Sequence, residues 1–324
     1  MSPALVVRLP NWIGDACMAL PALHALKAAN YQLILCGRPW AKDLFAGLEP
    51  LAFVPVGKSL GGALKTLKET CAEHGPLKAL VFPNSFSSAL LFRLAGLKTA
   101  GYRTDGRRLL LKWSLEKTRN RHEVEHYYEL ARFALSHWQA GRTLPLSPGA
   151  SLDLPLTERH HAEAQQALRD SGIGSPFVLL SPTAKGLHQG LLKRWSDYEP
   201  LARTLLSHGY QPAICPPPDE AAEAQQLVPS AQLIAPVSVG AFAALSKRAA
   251  LCVCNDSGAS HLAAAVQATQ LTLFGVSHPE VTRPWSPNAV FLGGNQGWPA
   301  LDAVIQASLK QLQASTAQDL NTRG

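Results

Sequence analysis

Short apolar runs bounded by glycine, proline and asparagine recur along this chain, and between them apolar residues return at helical spacing. Runs at 4–9 (ALVVRL), 32–37, 51–57 and 79–83 predict strands, with helices over 16–29, 60–74, 86–95 and 122–138. Residues 142–155 (RTLPLSPGASLDLP) lack periodicity and are rich in proline, serine and glycine, which marks a linker. Beyond it the alternation restarts, with strands at 177–181, 211–215, 232–234, 251–254 and 270–274. Helices are expected over 157–170, 196–208, 219–228, 239–247 and 260–266, and a last one over 300–314 ahead of a frayed tail. Strand and helix alternating in this way predict parallel sheets covered on both faces. The expected fold class is α/β: two doubly wound, Rossmann-like domains, residues 1–150 and 151–324, with the last helix free to pack back on the first domain.

The chain is organised around 251–274, LCVCNDSGASHLAAAVQATQLTLF. A buried strand runs into the polar turn Asn255-Asp256-Ser257-Gly258, then a helix of small residues, then a second strand. Ligands of such sheets bind at the carboxyl ends of strands. A helix starting at this turn aims free N–H groups and its positive dipole end there, which suits a phosphate. The competing reading makes Asp256 or Ser257 an ordinary N-cap. Near the start, Pro10-Asn11-Trp12-Ile13-Gly14-Asp15 is again a turn between strand and helix: Gly14 permits close approach of the backbone, and Asp15 stands over the sheet edge. Pro21 predicts that the first turn of that helix is a separate piece. Neither GxGxxG nor a Walker lysine is present. After the strand at 177–181, a loop carries Thr183, Lys185, Lys193 and Arg194, cations able to clamp a diphosphate. Asp219 and Glu220 follow the next strand, as a ribose ligand would or as residues that merely favour a helix start.

Length and composition narrow the class. At 324 residues with 47% hydrophobic content the chain exceeds one ordinary core, and no apolar run is long enough for a transmembrane helix. The N-terminus reads as an immediate strand rather than a signal peptide, so a cytoplasmic protein is expected. Six cysteines without a CxxC pair predict buried free thiols. Net charge is +7, and +5 of it falls in 103–121, where Arg103, Arg107, Arg108, Lys112, Lys117, Arg119 and Arg121 outnumber Asp105 and Glu116. Such a run is a solvated surface or faces an anionic acceptor or a membrane; it lacks the interleaved aromatics of a nucleic-acid platform, so no nucleic acid is expected. His122-Glu123-Val124-Glu125-His126 formally matches HExxH, but without an evident third ligand an amphipathic surface helix is preferred, with an acceptor-facing role for His122 as the alternative.

Three blocks together, NWIGDACMALPALHALK, SPTAKG…KRW and VCNDSGASHLAAAVQATQLTLFGVSHPEVTRPWSP, resemble the ADP-heptose:lipopolysaccharide heptosyltransferases, closest to the heptosyltransferase II branch of glycosyltransferase family 9. The resemblance spans nearly the whole chain. It implies a GT-B fold with two domains facing across a cleft. It implies metal-independent, inverting transfer of heptose from ADP-heptose to the lipopolysaccharide inner core (Kdo-lipid A), without a cofactor or metal, at the cytoplasmic face of the inner membrane. By the same resemblance Asp15 is the general base and Lys193 stabilises the leaving diphosphate, with Lys185 able to share that role. Thr183, Asp219 or Glu220, Asp256, Ser257, Gly258 and His261 would bind the donor. Asn11, Trp12, Gly14, Arg103, Arg107, Arg108, Arg121 and His122 would meet the acceptor. Two departures stand out: the 183–193 loop is longer than usual, and GVSHPEVTRP replaces an expected GPT or GPS. The alternatives are a transferase of the same family with another nucleotide sugar or a protein acceptor, and a non-catalytic sugar-nucleotide-binding protein.

Overall fold

The computed structural model describes the chain apart from residues 1, 58, 119, 140–143, 175, 185–186, 189–190, 295–296 and 323–324, and apart from the side chains of 187–188, 191–192 and 315–322. It divides into two compact units, residues 1–149 and 150–324. In the first, β1 (Ala4–Arg8), β2 (Gln32–Gly37), β3 (Ala52–Pro55), β4 (Lys78–Val81), β5 (Lys98–Tyr102) and β6 (Trp113–Leu115) form a parallel sheet in the order β3-β2-β1-β4-β5-β6. In the second, β7 (Phe177–Ser181) leads to a two-stranded antiparallel hairpin, β8 (Leu187–His188) and β9 (Leu191–Leu192). β10 (Gln211–Ile214), β11 (Gln232–Leu233), β12 (Leu251–Asn255), β13 (Gln270–Phe274) and β14 (Ala289–Gly293) then complete a parallel sheet in the order β11-β10-β7-β12-β13-β14.

Both orders follow from the same chain path. Each sheet starts at its centre, grows to one edge, then returns to the centre and grows to the other. The strand order therefore reverses between β1 and β4 and between β7 and β12, and a crevice opens at the carboxyl ends of each pair. The central strands are the continuous apolar runs. β12 and β13 are buried along their whole length, and so are Leu5 to Val7 of β1. Each fully buried Leu or Val contributes roughly 1.5–3 kcal/mol, so register is fixed most strongly at the centre. In the first core Val6, Ile34, Val54 and Val81 pack with Leu67 and Phe92. In the second, Leu180, Val253 and Leu271 pack with Trp195, Tyr198, Leu205, Val304 and Leu312.

The break that Pro21 predicts is present, and other elements differ from the expected ones. The first helix is two pieces, Ile13–Met18 and Leu20–Ala28, with Pro21 in the opening turn of the second, where its missing N–H does no harm. The final helix, Leu301–Thr322, continues past the expected frayed end, and its Val304 and Leu312 belong to the second unit's own core. Leu152 is already buried and the Leu154 N–H donates to Ala265 O at 2.8 Å, so the linker's end is built onto the second unit. All six cysteines are free, five of them buried, and burial pushes the thiols of Cys36, Cys215 and Cys254 up to about 12.

The basic segment is corrected most. It carries a 3-10 turn (Arg107–Leu110) and β6 instead of an open cationic face. Arg107 is fully buried. Its Nε donates to Tyr102 O at 2.6 Å, Nη1 to Pro83 O and Ser85 O, and Nη2 to Asn84 Oδ1 at 3.2 Å. It thus ties the carboxyl ends of β4 and β5 together, and burial pushes its guanidinium down to about 10. Arg107→Met, which strands those carbonyls, should lower the unfolding free energy by about 2–4 kcal/mol in chemical denaturation.

His126, on the helix Glu123–Trp138, is buried beside Lys117, Arg121, Glu123 and Glu129. Burial, reinforced by Lys117, holds its imidazole below the ordinary 6.5. The unfolded chain therefore takes up a proton before the folded one does, and stability falls as pH drops below the ordinary imidazole range. Denaturation between pH 7.5 and 5.5 should show this slope, and His126→Gln should flatten it.

Candidate functional site

Each unit brings part of the expected set to its own switch point. In the first, the turn after β1 is held from beneath by Arg8, whose Nη1 donates to Leu9 O at 2.5 Å and to Cys36 O at 3.3 Å. Its Nη2 donates to Asn11 Oδ1 at 2.6 Å, so Asn11 is fixed by a buried side chain while its residue stays exposed. Burial lowers the Arg8 guanidinium from its usual range. Trp12 occupies the N-cap position of Ile13–Met18 without a side-chain cap bond and is 72% exposed. Gly14 and Asp15 follow, half-buried in the first turn. Asp15 lies close enough to the Tyr127 phenol to help burial raise it well above 10. Tyr127 packs edge-on against Phe82, at the end of β4, at 5.1 Å.

The remaining acceptor candidates separate. Arg103 is paired with Glu116 and Arg121 with Glu129 at 3.1 Å, and Arg107 is interior. His122 is buried: its Nδ1 accepts from the Val124 N–H at 3.2 Å while Glu125 accepts from its own N–H at 3.1 Å, a capping box for the helix. Arg108 is exposed beside Leu109, which is 92% exposed. Among the described residues no three His, Cys, Asp or Glu side chains gather as a metal would require.

The second unit is more closely knit. Asp256 is buried, and its Oδ2 accepts from Lys193 Nζ at 2.5 Å and from Ser277 Oγ at 2.6 Å. Ser257 stands at the N-cap of Gly258–Ala265 but makes no side-chain cap bond. The competing N-cap reading therefore fails for both residues. Asp256 faces the lysine, and the first N–H groups of the helix carry no side-chain cap. Before this turn, Asn255 Nδ2 donates to Ser181 O at 3.2 Å and Pro182 O at 3.0 Å, and its Oδ1 accepts from the Trp195 N–H at 3.0 Å. Thr183 is half-buried in the loop so anchored; Lys185 lies outside the described residues. Arg194 pairs with Glu223 at 2.5 Å. After β10, Glu220 is buried and Asp219 exposed, and His261 is buried one turn into the helix.

A cation held on a buried carboxylate thus stands beside a helix start lacking a side-chain cap, at a switch point. Residues 77–313, more than half the chain, match the family described as "Glycosyltransferase family 9 (heptosyltransferase)". The chain belongs to glycosyltransferase family 9. This family 9 protein is 27% identical to the lipopolysaccharide heptosyltransferase 2 of Salmonella typhimurium over 303 residues, 86% of this chain and 85% of that one. It is 26% identical to the lipooligosaccharide heptosyltransferase 2 of Haemophilus influenzae over 309 residues, 87% and 86% of the two chains. Its fold is similar to that of the E. coli ADP-heptose lps heptosyltransferase II, with a TM-score of 0.80, 24% identity and coverage of 98% and 99% of the two chains. The E. coli heptosyltransferase WaaC with ADP follows at a TM-score of 0.76 and 18% identity, covering 95% and 99%.

Sequence reasoning missed Ser277 and Arg8. Ser277 belongs to the GVSHPEVTRP stretch that departs from the expected motif, and only the fold shows that its hydroxyl reaches back to Asp256. The preceding Gly275 leaves room for the Trp298 indole, which any Cβ there would strike. Ser277→Ala removes one donor from a buried carboxylate and should cost about 1–3 kcal/mol in unfolding free energy, read by chemical denaturation.

Proposed function

We propose that this family 9 protein is an inverting heptosyltransferase that moves L-glycero-D-manno-heptose from its ADP sugar to the inner core of lipopolysaccharide. The observation that carries the reading is Lys193 held on Asp256 beside the uncapped start of Gly258–Ala265. A diphosphate fits there: one N–H of the ammonium is engaged by Asp256, which leaves two for phosphate oxygens. The amides from Ser257 and Gly258 onward and the Thr183 hydroxyl supply further donors. Glu220, buried in the 3-10 turn after β10, takes the ribose hydroxyls in preference to exposed Asp219, and His261, buried one turn into Gly258–Ala265, is a further donor-side candidate. The names of the heptosyltransferase 2 relatives support heptose as the transferred sugar and lipopolysaccharide as the acceptor.

In the reaction the acceptor hydroxyl gives its proton to the Asp15 carboxylate as its oxygen attacks the anomeric carbon. The bond from that carbon to the phosphate oxygen breaks on the opposite face, and its electron pair leaves with ADP, so configuration inverts. Charge grows on the diphosphate as this bond breaks, which is where Lys193 and the helix amides lower the barrier. Asn11, Trp12 and Gly14 shape the acceptor side around Asp15. Asp15→Ala should lower heptose transfer by about 10²–10⁴-fold with ADP binding intact, measured by product formation and calorimetry. A fully active variant refutes the assignment.

The acceptor is a glycolipid, and we extend the reading to peripheral contact with the cytoplasmic face of the inner membrane. No helix among the described residues is long and apolar enough to cross a membrane. Trp12, Phe86 and Leu109 follow β1, β4 and β5 at one edge of the first sheet, and all three are exposed, Leu109 most of all. Exposed Arg108 and Lys112 flank Leu109, an apolar tip with cations that suits an anionic bilayer. Leu109→Glu should reduce co-sedimentation with phosphatidylglycerol vesicles severalfold and leave ADP binding unchanged. Equal sedimentation of both proteins removes this surface from the proposal.

A further inference from the structure

The loop between β7 and the helix Tyr198–Ser207 carries Thr183 near its start and Lys193 near its end. Both ends converge on one side chain. Asn255, fully buried at the end of β12, donates from Nδ2 to Ser181 O at 3.2 Å and Pro182 O at 3.0 Å, where the loop leaves β7. Its Oδ1 accepts from the Trp195 N–H at 3.0 Å, where the loop returns. The amide orientation is forced, because flipping it would set an oxygen against two carbonyls. Trp195 is itself locked: its indole N–H donates to Pro299 O at 2.9 Å and its ring packs edge-on to Tyr198 at 5.3 Å. Lys193 therefore extends from a backbone fixed two residues away. The next residue of the same strand end, Asp256, takes its ammonium at 2.5 Å.

We infer that Asn255 is a positioning residue for Lys193, stapling both ends of the diphosphate loop so that the ammonium reaches its place without an ordering step. The inference rests on the proposed role of Lys193 in binding the diphosphate. A loop of this length pays an entropic penalty for closure on each binding event unless something in the protein closes it beforehand. Three hydrogen bonds from a side chain with no exposure do so. Asn255 touches no substrate; it acts through the backbone of Lys193 and Thr183.

The test is a double-mutant cycle read by ADP calorimetry on the full-length protein, with Asn255→Ala, Lys193→Ala and the pair. If Asn255 acts through Lys193, each single change weakens ADP binding by roughly tenfold and the pair by little more than Lys193→Ala alone. Multiplying losses, as a merely structural residue would give, overturn the inference. Asn255→Ser, which leaves a polar atom in the buried position but one bond short of the three partners, carries the cycle should the alanine variant not fold. Deuterium exchange separates the two layers. The amides of the loop ends, 183–184 and 193–195, should exchange faster in Asn255→Ala with β12 and β13 still protected, and unchanged ends also overturn the inference. Failure of the unaltered protein to bind ADP sinks the reading of the site, while exchange still reports whether Asn255 orders the loop.

Discussion

A carboxylate with almost no exposure is the constraint on which the second unit's chemistry depends. Burying the Asp256 charge is affordable only if donors replace its water, and it has two on one oxygen, Lys193 and Ser277. The pairing binds three segments far apart in the chain: the end of β12, the loop after β7 and the turn after β13. It also bears on the start of the helix. An aspartate at such a turn ordinarily turns inward and caps the helix. Here it turns to the lysine, and Ser257 does not cap either, so the first amides of the helix carry no side-chain cap.

The first unit uses buried charge in the opposite way. Arg8 and Arg107 both donate mainly to backbone carbonyls where strands end, and no carboxylate bonds to either among the described residues. Strand ends at a switch point diverge, leaving carbonyls that neither sheet nor helix can satisfy, and a guanidinium with five donors in a plane spans such a gap. Much of the positive charge counted in 103–121 is therefore internal or neutralised in ion pairs, Arg103 with Glu116, Lys117 with Glu123 and Arg121 with Glu129. Among the described residues, Arg108 and Lys112 around Leu109 are exposed and stand outside these ion pairs. Net charge along a segment was a poor guide to its outer face, because sequence does not say which arginines turn inward.

The central strands were legible because parallel strands buried on both faces must be continuous apolar runs, and these are. β5, β6 and β14 were not. Lys98–Tyr102 holds a glycine and a lysine, Trp113–Leu115 is three residues inside a cationic segment, and Ala289–Gly293 is a half-buried edge strand. Each is stabilised by a neighbouring strand already in place rather than by its own pattern. The site was legible as residue types at strand ends. Its pairings were not: Lys193 meets Asp256 across 63 positions and Ser277 meets it across 21, separations at which local spacing carries no information. His122 shows the converse error. A histidine in a suggestive motif was buried as a helix cap, a role that histidine can fill when its Nδ1 accepts.

Capping across the two sheets shows where stability has been given up. Among the described residues, side-chain N-caps follow the edge strands: Ser59 after β3, His122 after β6 and Ser238 after β11, with Thr157 opening the second unit. The helices that follow the strands flanking the two switch points start without one, at Trp12 after β1, Ser85 after β4, Asp197 after the β7 loop and Ser257 after β12. A side-chain cap contributes about 1 kcal/mol, and serine at two of these four positions and aspartate at a third have the chemistry to provide it. At Ser85 the hydroxyl instead bonds Ser88, and at Ser257 it makes no cap bond. Local helix stability alone would have filled every cap that its residues allow. The helices after β2, β10 and β13 also start without a side-chain cap, at Pro39, Glu220 and His278, so open starts are not confined to the switch points; what sets Ser85, Asp197 and Ser257 apart is that a residue able to cap stands in place and does not.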